Sequence, residues 1–503
     1  MFVNANKTEI DQRFLDLSSS TKNFRERWSI PNYQLWPWIT RPCTVRILLY
    51  ADYSVTLTDP LPDPFTPGST SGFDLGKVNQ VLKSDPWFWV KFDVTFKRRQ
   101  PNPPNNYLDQ LDIEKNYDQI WFFGIGSTPA LTPNEIAVLD NFMRKKQGGI
   151  FMTGDHANLG AGIGQQIPRA GKMRKWPAPD AQPPEWNSTL RSGADGLFQF
   201  NDQSDDVPQK LCLKTYPVGF PWSPLCWHRA PHPLFCSSWG PIDVFPDHQH
   251  EGECSIPNNF PASEWPVSSG GYQPKPEIIA WGKVIDPSAN PVRTVANTAV
   301  YDGHRAGVGR IVTDSTWHHW FNINLWGFPQ STAGLNALRK IEAHFLNVAV
   351  WLASPQLQKC MFAAMCWGLR WHWSLREVLR AKPMVLGTTA RDVFGRYASQ
   401  CILQDFIWSR FKLLPQLRFQ KAAEELEFLP QVGPVEDLFL GEYLFEIGSK
   451  FQKDLTQDPQ PPQLNDLVEL ISPALERSTS KLFETQIKGT ELFQELIQLE
   501  DEF

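Results

Sequence analysis

Histidine and aspartate, the residue types that proton transfer and metal binding need, are concentrated in one part of this chain. Eight of the ten histidines lie between His156 and His319. Several stand close to an aspartate, and these groups are Asp155-His156, Asp247-His248, Asp302 with His304, and Asp314 before His318-His319. A carboxylate can hold a nearby imidazole in one tautomer, and the imidazole then serves as base, acid or metal ligand. We therefore expect the chemistry of this protein within residues 155–319.

Two of these groups follow apolar runs that are typical of central β-strands. The polar residues at the two strand ends are Asp155 and His156 after the run 150–153, and Asp314, His318 and His319 around and after the run 308–314. In open α/β sheets, ligands bind outside the carboxyl ends of the strands. We predict that the two ends share one cleft at an exposed sheet edge. There one histidine would be the general base, fixed by its aspartate, and the other an acid or ligand.

The loop after the first strand end also suggests an anion site. Asn158, Gly160, Gly162 and Gly164 lie near a predicted helix start, where unused backbone N–H groups can cradle an anion. The alternative interpretation is structural, because a histidine bonded to a neighbouring carboxylate can simply fix a turn.

A third polar group lies between the two strand ends in sequence. His248 and His250 alternate, so both rings can face one side of an extended loop, and Asp247 and Glu251 flank them. Two histidines with a carboxylate are a sufficient ligand set for zinc, iron or manganese. We interpret these four residues as candidate ligands of a divalent metal. The alternative is a solvated surface loop that binds nothing.

Alternating strand and helix patterns predict an α/β fold built on a doubly wound, mostly parallel sheet. The sequence Thr132-Pro133-Asn134-Glu135 is typical of a capped helix start, and the helix is expected over 133–146. The segments expected to be adjacent buried strands are Val45 to Leu49, Ile120 to Phe123 and Ile150 to Met152.

Composition divides the chain into an N-terminal arm (1–40), an α/β domain (41–353) and a helical C-terminal domain (354–503). Within the α/β domain, residues from about 165 to 276 form an insertion, because 18 of the 43 prolines lie between Pro168 and Pro276. The C-terminal region contains a dense apolar group, which predicts a homo-oligomer or protein-partner interface. Its members are Leu438, Phe439, Leu440, Tyr443, Leu444 and Phe445.

Charge, hydropathy and cysteine spacing argue against several classes of protein. The net charge of −6 gives no reason to expect a nucleic-acid partner. The chain shows no signal-peptide pattern and no apolar run near the about 20 residues that span a bilayer, so we expect a cytoplasmic protein without a membrane partner. Eight cysteines without a secretion signal do not predict a disulfide framework. We expect buried thiols rather than a zinc site at Cys212, Cys226, Cys236 and Cys254.

The order of these motifs resembles that of the trehalose-utilisation (ThuA-like) family over about residues 46–352. The motifs that carry the resemblance are Gly154-Asp155-His156, His232-Pro233-Leu234 with Phe245-Pro246-Asp247, and the run 309–313 that leads to His318-His319. That family belongs to the class I glutamine amidotransferase-like superfamily, so the resemblance implies a doubly wound, flavodoxin-like sheet. It also implies that the matching histidines line one cleft and that the substrate is a sugar or a sugar derivative.

The chain departs from the glutamine-hydrolysing members of that superfamily. They have a cysteine after the central strand and a later His-x-Glu, whereas this chain has His156 and Trp317-His318-His319-Trp320. We therefore expect an enzyme other than a glutamine amidotransferase, with His/Asp acid–base or metal-assisted chemistry on a small polar, sugar-like substrate. The reaction would be of the hydrolase or the lyase/isomerase type. The alternative is a non-catalytic ligand-binding or interaction protein that assembles through its helical C-terminal region.

Overall fold

The computed structural model describes residues 43–52, 55–84, 87, 89–155, 158–176, 209–218, 228–245, 252–284, 293–370, 372–412, 433–451, 462–481 and 484. Their centre is a nine-stranded sheet with the order β6-β5-β7-β8-β9-β4-β3-β1-β2. Its strands are β1 (Cys43–Ala51), β2 (Val90–Arg98), β3 (Gln119–Phe123), β4 (Gly149–Thr153), β5 (Gln209–Leu213), β6 (Val244–Phe245), β7 (Glu277–Val284), β8 (Arg293–Tyr301) and β9 (Ile311–Asp314). Short two-stranded ribbons pair Gln100–Pro101 with Pro104–Asn105, Thr215–Val218 with His228–Pro231, and Cys236–Ser237 with Gly240–Pro241.

One half of the sheet is parallel. β1 pairs in parallel with β2 and β3, β3 with β4, and β4 with β9. Along β1, Val45, Ile47 and Leu49 belong to one hydrophobic core, whereas Leu48 and Tyr50 belong to a second one. A strand buried on both faces needs a nearly continuous apolar run, which is the pattern in the sequence. The prediction that β1, β3 and β4 are adjacent buried strands is confirmed.

The other half is antiparallel, which corrects the prediction of a mostly parallel sheet. β8 pairs antiparallel with β9 and with β7, and β5 pairs antiparallel with β7 and with β6. The connection from β8 to β9 covers only residues 302–310, fewer than the dozen or so that a parallel crossover needs. The chain therefore turns back on itself, and the proline-rich segment adds β5 and β6 at the edge. The architecture is α/β with a mixed sheet.

Helices cover both faces of the sheet. The longer described ones are α1 (Gly76–Lys83), α2 (Pro133–Lys145), α3 (Thr332–Trp351), α4 (Pro355–Arg370), α5 (Pro383–Phe394), α6 (Gln400–Lys412), α7 (Gly433–Phe451) and α8 (Leu464–Glu469), and 471–481 is also helical. α2 packs on one core, whereas α1, α3 and α4 pack on the other. α2 begins as predicted, because the Glu135 N–H donates to Thr132 Oγ1 at 3.2 Å and the Thr132 N–H donates back to Glu135 at 2.8 Å. No described helix has both the length and the apolar character of a membrane span.

The described helices after residue 354 share a hydrophobic core with the sheet. α4, α5, α6 and α7 contribute to the same core as β1 and α3. A disulfide joins Cys43 of β1 to Cys360 of α4. Disulfides persist mainly in oxidising compartments, so this bond stands against the predicted cytoplasmic localisation, which stays a prediction. The predicted domain boundaries also stay predictions.

The apolar face of α7 is buried within the protein, which contradicts the prediction that this face forms a partner surface. Five of its six predicted members are buried and only Phe445 is exposed. α7 crosses α5 closely at Gly387, where an added Cβ would lie 1.7 Å from the carbonyl oxygen of Asp437. Because Gly387 has no side chain, α5 can pack closely against the apolar face of α7.

The cysteine predictions hold in part. Cys236 and Cys254 are buried free thiols, whereas Cys212 is a free thiol that is exposed. Burial raises the pKa of Cys254 to about 12, so this thiol stays protonated and unreactive at neutral pH. Cys226 lies outside the described residues.

Arg310 provides a test of how the helical region is attached to the sheet. It donates to Asp302 at 2.9 Å and to Asp405 of α6 at 2.9 Å, and its side chain is only 2% exposed. Arg310→Met leaves both carboxylates without this partner, so we expect the free energy of unfolding to fall by about 3–5 kcal/mol. Lys83→Met, which removes an exposed pair with Asp59, should cost about 1 kcal/mol or less. Equal losses for the two variants in urea unfolding would contradict this prediction.

Candidate functional site

His318 and Asp155 meet at the carboxyl edge of the sheet, although 163 positions separate them in sequence. β4 and β9 are adjacent parallel strands, with Thr313 opposite Met152, so the residues after both strands emerge at the same edge. The Nε2 atom of His318 lies 3.3 Å from Oδ2 of Asp155. The structure thus brings together two of the predicted catalytic residues.

Hydrogen bonds orient the His318 ring. A carboxylate oxygen accepts, so the Nε2 atom of His318 carries the proton that faces Asp155. Nδ1 is then the basic nitrogen, and the side-chain amide of Asn324 donates to it at 3.2 Å. The His318 backbone N–H donates to Thr316 Oγ1 at 3.2 Å, which holds the turn after β9. This is the arrangement of an imidazole base whose tautomer is set by a carboxylate.

Arg174 bridges the two strand ends. Its guanidinium donates to the carbonyl oxygen of Ser315 at 2.8 Å and also to that of Asp155. The side chain is buried and lies over the Trp176 ring, 4.5 Å from its centroid. Burial lowers the pKa of Arg174 to about 10, so the guanidinium keeps its charge at neutral pH. A buried positive charge therefore lies near the Asp155 carboxylate.

Asp314, His319 and His344 form a second cluster at the end of β9. The Oδ2 atom of Asp314 lies 2.9 Å from Nε2 of His319 and accepts from Nε1 of Trp320 at 2.9 Å. His344 comes from α3, and its Nδ1 lies 3.0 Å from the carbonyl oxygen of Leu234. One ligand atom from each of the three residues lies within 4.8 Å of the others. This buried cluster could hold a metal ion.

Burial and charge set the protonation states in this second cluster. Burial lowers the pKa of His344 to about 4, so its ring is neutral at pH 7. A carbonyl oxygen accepts, so Nδ1 of His344 carries the proton and Nε2 offers a lone pair. Burial by itself raises the pKa of Asp314, but the neighbouring His319, His344 and Thr298 together outweigh it and the net shift is downward. The cluster therefore combines a carboxylate with a neutral imidazole.

Five predicted site residues lie outside the described part of the chain. They are the candidate base His156 and the four candidate metal ligands Asp247, His248, His250 and Glu251. Their roles stay predictions.

The loop after β4 uses two of the four N–H groups that were predicted to form an anion cradle. The Gly162 N–H donates to the carbonyl oxygen of Gly126 at 3.0 Å, and the Gly164 N–H donates to that of Gly160 at 2.9 Å. Gly160 has a φ of 87°, which folds the loop back so closely that a Cβ there would lie 2.8 Å from the carbonyl oxygen of Gly124. The loop therefore uses these donors itself.

The expectation of an exposed sheet edge is wrong. Asp155 is only 2% exposed, and Asp314, His318 and His319 are fully buried. The Phe245 ring stacks on His319 with centroids 4.0 Å apart, and such packing removes the edge from solvent. Substitutions at these positions will therefore affect stability as well as chemistry.

Four residues of this edge and of the second cluster were missed by sequence reasoning: Asp52, Arg174, Asn324 and His344. Asp52 directly follows the apolar strand β1, so the rule that selected Asp155 could also have selected Asp52. The other three have no local signal. His344 is a single histidine inside a helix, and Arg174 lies in a segment without strand or helix periodicity.

Asp52 is a buried carboxyl group that accepts the N–H groups of Ile125 at 2.7 Å and Gly126 at 3.1 Å. Burial raises its pKa from 3.8 to about 6, and the two backbone hydrogen bonds oppose this shift only in part. Carboxyl groups with such raised pKa values are common at functional sites, although structural networks also produce them.

Arg174→Met tests whether the guanidinium holds the strand ends together. The variant leaves the carbonyl oxygens of Ser315 and Asp155 without this donor, so we expect the free energy of unfolding to fall by about 2–5 kcal/mol. Lys175→Met is the control, because its partner Glu253 is paired at the surface and the loss should be about 1 kcal/mol or less. Urea unfolding measures both, and a loss below about 1 kcal/mol for Arg174→Met would refute the role.

Asp52→Asn tests the raised pKa through the pH dependence of stability. In the wild type the folded chain keeps the Asp52 proton up to about pH 6, whereas the unfolded chain releases it near pH 4. This contribution to stability is therefore complete below about pH 4 and lost as the pH rises through about 6, a change of about 3 kcal/mol. Asp52→Asn should lose this component of the pH profile, measured by urea unfolding between pH 4 and pH 7. Identical profiles would contradict it.

Comparison with known proteins does not identify a relative of this chain. The chain matches no protein-family model, no curated protein and no solved structure. The likeness to the trehalose-utilisation family therefore stays an expectation, and the function has to be argued from the site.

Proposed function

We propose that this chain is an enzyme in which His318, held by Asp155, carries out acid–base chemistry on a small polar substrate. The observation that carries the proposal is the His318–Asp155 pair itself, with 3.3 Å between Nε2 and Oδ2 at the carboxyl edge of a sheet. In open α/β folds, ligand sites usually lie at that edge of the sheet.

The chemistry follows from the state of the His318 ring. Asp155 keeps the proton on Nε2, so Nδ1 can accept a proton from a substrate or a water and later return it. Asn324 now donates to Nδ1, and an amide at that position can also bind a substrate hydroxyl or carbonyl group. The buried environment favours this exchange, because charge that develops in a water-poor site interacts strongly with its neighbours.

The substrate class in this proposal is a small polar molecule, of the carbohydrate kind that the family resemblance implies. The resemblance also supports the finer fold assignment to a doubly wound, class I amidotransferase-like sheet with a C-terminal helical region. Hydrolysis and proton abstraction beside a carbonyl group both fit the same two residues. His156 extends the proposal as a further base. The 247–251 loop is an alternative set of ligands for a divalent zinc, iron or manganese ion.

The competing proposal is a non-catalytic ligand-binding or interaction protein that assembles through its helical C-terminal region, and the apolar face of α7 was the expected contact surface. That face, on α7, is buried against α5 apart from Phe445. The described residues therefore remove one support for assembly through α7.

His318→Gln and Asp155→Asn test the proposal. Wild-type protein is incubated with a panel of aldoses, ketoses, aldonic acids and aldonolactones, and turnover is followed by NMR. For every compound that the wild type converts, we expect each variant to lose about 10²- to 10⁴-fold in rate, because the first removes the base and the second removes the carboxylate that fixes its tautomer.

The matched control is His304→Gln. His304 is also a buried histidine, but it follows β8, which is antiparallel to β9, so it lies at the opposite edge of the sheet. This variant should keep turnover within about threefold of the wild type. Circular dichroism confirms that each variant is folded. If folded His318→Gln converts a substrate at the wild-type rate, the proposed role of His318 is excluded.

A further inference from the structure

We infer that Asp314, His319 and His344 form a binding site for one divalent metal ion, with zinc as the best-fitting occupant. These ligands differ from the four predicted in the 247–251 loop. The inference does not depend on the proposed activity, because metal content is measured without a substrate.

The geometry brings the three side chains together from separate elements. Asp314 ends β9, His319 follows in the next turn, and His344 reaches the cluster from α3. Their ligand atoms lie within 4.8 Å of one another, and metal bonds of about 2.0–2.2 Å span at most about 4.4 Å between two ligand atoms. The cluster has to contract to bind one ion at these distances.

Two of the nitrogens lack a hydrogen-bond partner. Nε2 of His344 and Nδ1 of His319 are buried, and neither is paired with any group in the described part of the chain. A buried polar atom without a hydrogen-bond partner lowers the stability of the fold by about 1–3 kcal/mol, so its presence here needs an explanation. The Leu234 carbonyl meanwhile holds the His344 proton on Nδ1, the usual second contact of a metal-binding imidazole.

The charge of the cluster also favours a cation. Asp314 is fully buried, and the donors that contact its carboxylate are Thr298 at 2.8 Å, Trp320 at 2.9 Å and His319. Neither the hydroxyl nor the indole carries a charge. A cation bound here would offset the charge of the buried carboxylate. It would also give Nε2 of His344 the partner that it lacks among the described residues.

The donor set selects the class of metal. Two imidazoles and one carboxylate suit zinc, and they also suit iron and manganese. Calcium and magnesium prefer sites made only of oxygen ligands. Zinc fits best because it accepts low coordination numbers, and the packed rings of Phe245 and Trp320 leave little room for further ligands.

Elemental analysis tests the inference directly. Wild-type protein purified without chelator should contain about one equivalent of zinc, iron or manganese per chain. After chelator treatment it should bind one equivalent of Zn²⁺ in calorimetry, and the zinc-loaded form should melt several degrees above the stripped form. Absence of metal in the purified protein together with no binding of Zn²⁺, Fe²⁺ or Mn²⁺ would overturn the inference.

Substitutions distinguish the Asp314 cluster from the 247–251 loop as the place where zinc binds. His344→Gln and Asp314→Asn should reduce zinc content at least tenfold, whereas His304→Gln and the double variant His248→Gln/His250→Gln should keep it. Zinc that is lost from the loop variant but kept in His344→Gln would assign the ion to the loop and refute the proposal. Should the cluster variants not fold, X-ray absorption of the zinc-loaded loop variant decides, since two imidazole ligands support the site and fewer than two reject it.

Discussion

The parallel pairing of β4 with β9 is the constraint on which the rest of the site depends. Both strands run in the same direction with Met152 opposite Thr313, so the polar residues that follow them must reach the same sheet edge. Arg174 then bonds the carbonyl groups of both strand ends, which keeps Asp155 and His318 within hydrogen-bond reach. A change in register by one residue would turn every side chain of β9 to the other face and separate the pair.

Buried charge specifies the partners of β9. Arg310 precedes the strand and joins it to α6 through Asp405, whereas Asp314 ends it and bonds Thr298 of β8. An ionised side chain without partners would cost several kcal/mol in the core, so each charge restricts which elements can lie beside it. The strand is thereby held at both ends. Its carboxyl end leads to the adjacent residues His318, which contacts Asp155, and His319, which contacts Asp314.

The helical C-terminal region completes the fold instead of extending outward. Its helices share a hydrophobic core with β1, and the bond between Cys43 and Cys360 joins the two parts covalently. α7 can bury a wide apolar face because it approaches α5 at Gly387, where no side chain keeps the backbones apart. These helices also pack in one core with α3, the helix that carries His344. The C-terminal region therefore contributes to the second cluster indirectly.

The sequence by itself determined the elements whose signals are local. Apolar runs identified β1, β3 and β4, and the Thr132–Glu135 capping pattern identified the start of α2, because both signals act within a few residues. The rule for strand ends then selected Asp155 and His318. Only the tertiary structure decided the antiparallel half of the sheet, the burial of α7, and the joining of His344 and Arg174 to the two polar clusters. These features depend on contacts between residues far apart in the chain, and a contact of that kind leaves no periodicity in one sequence.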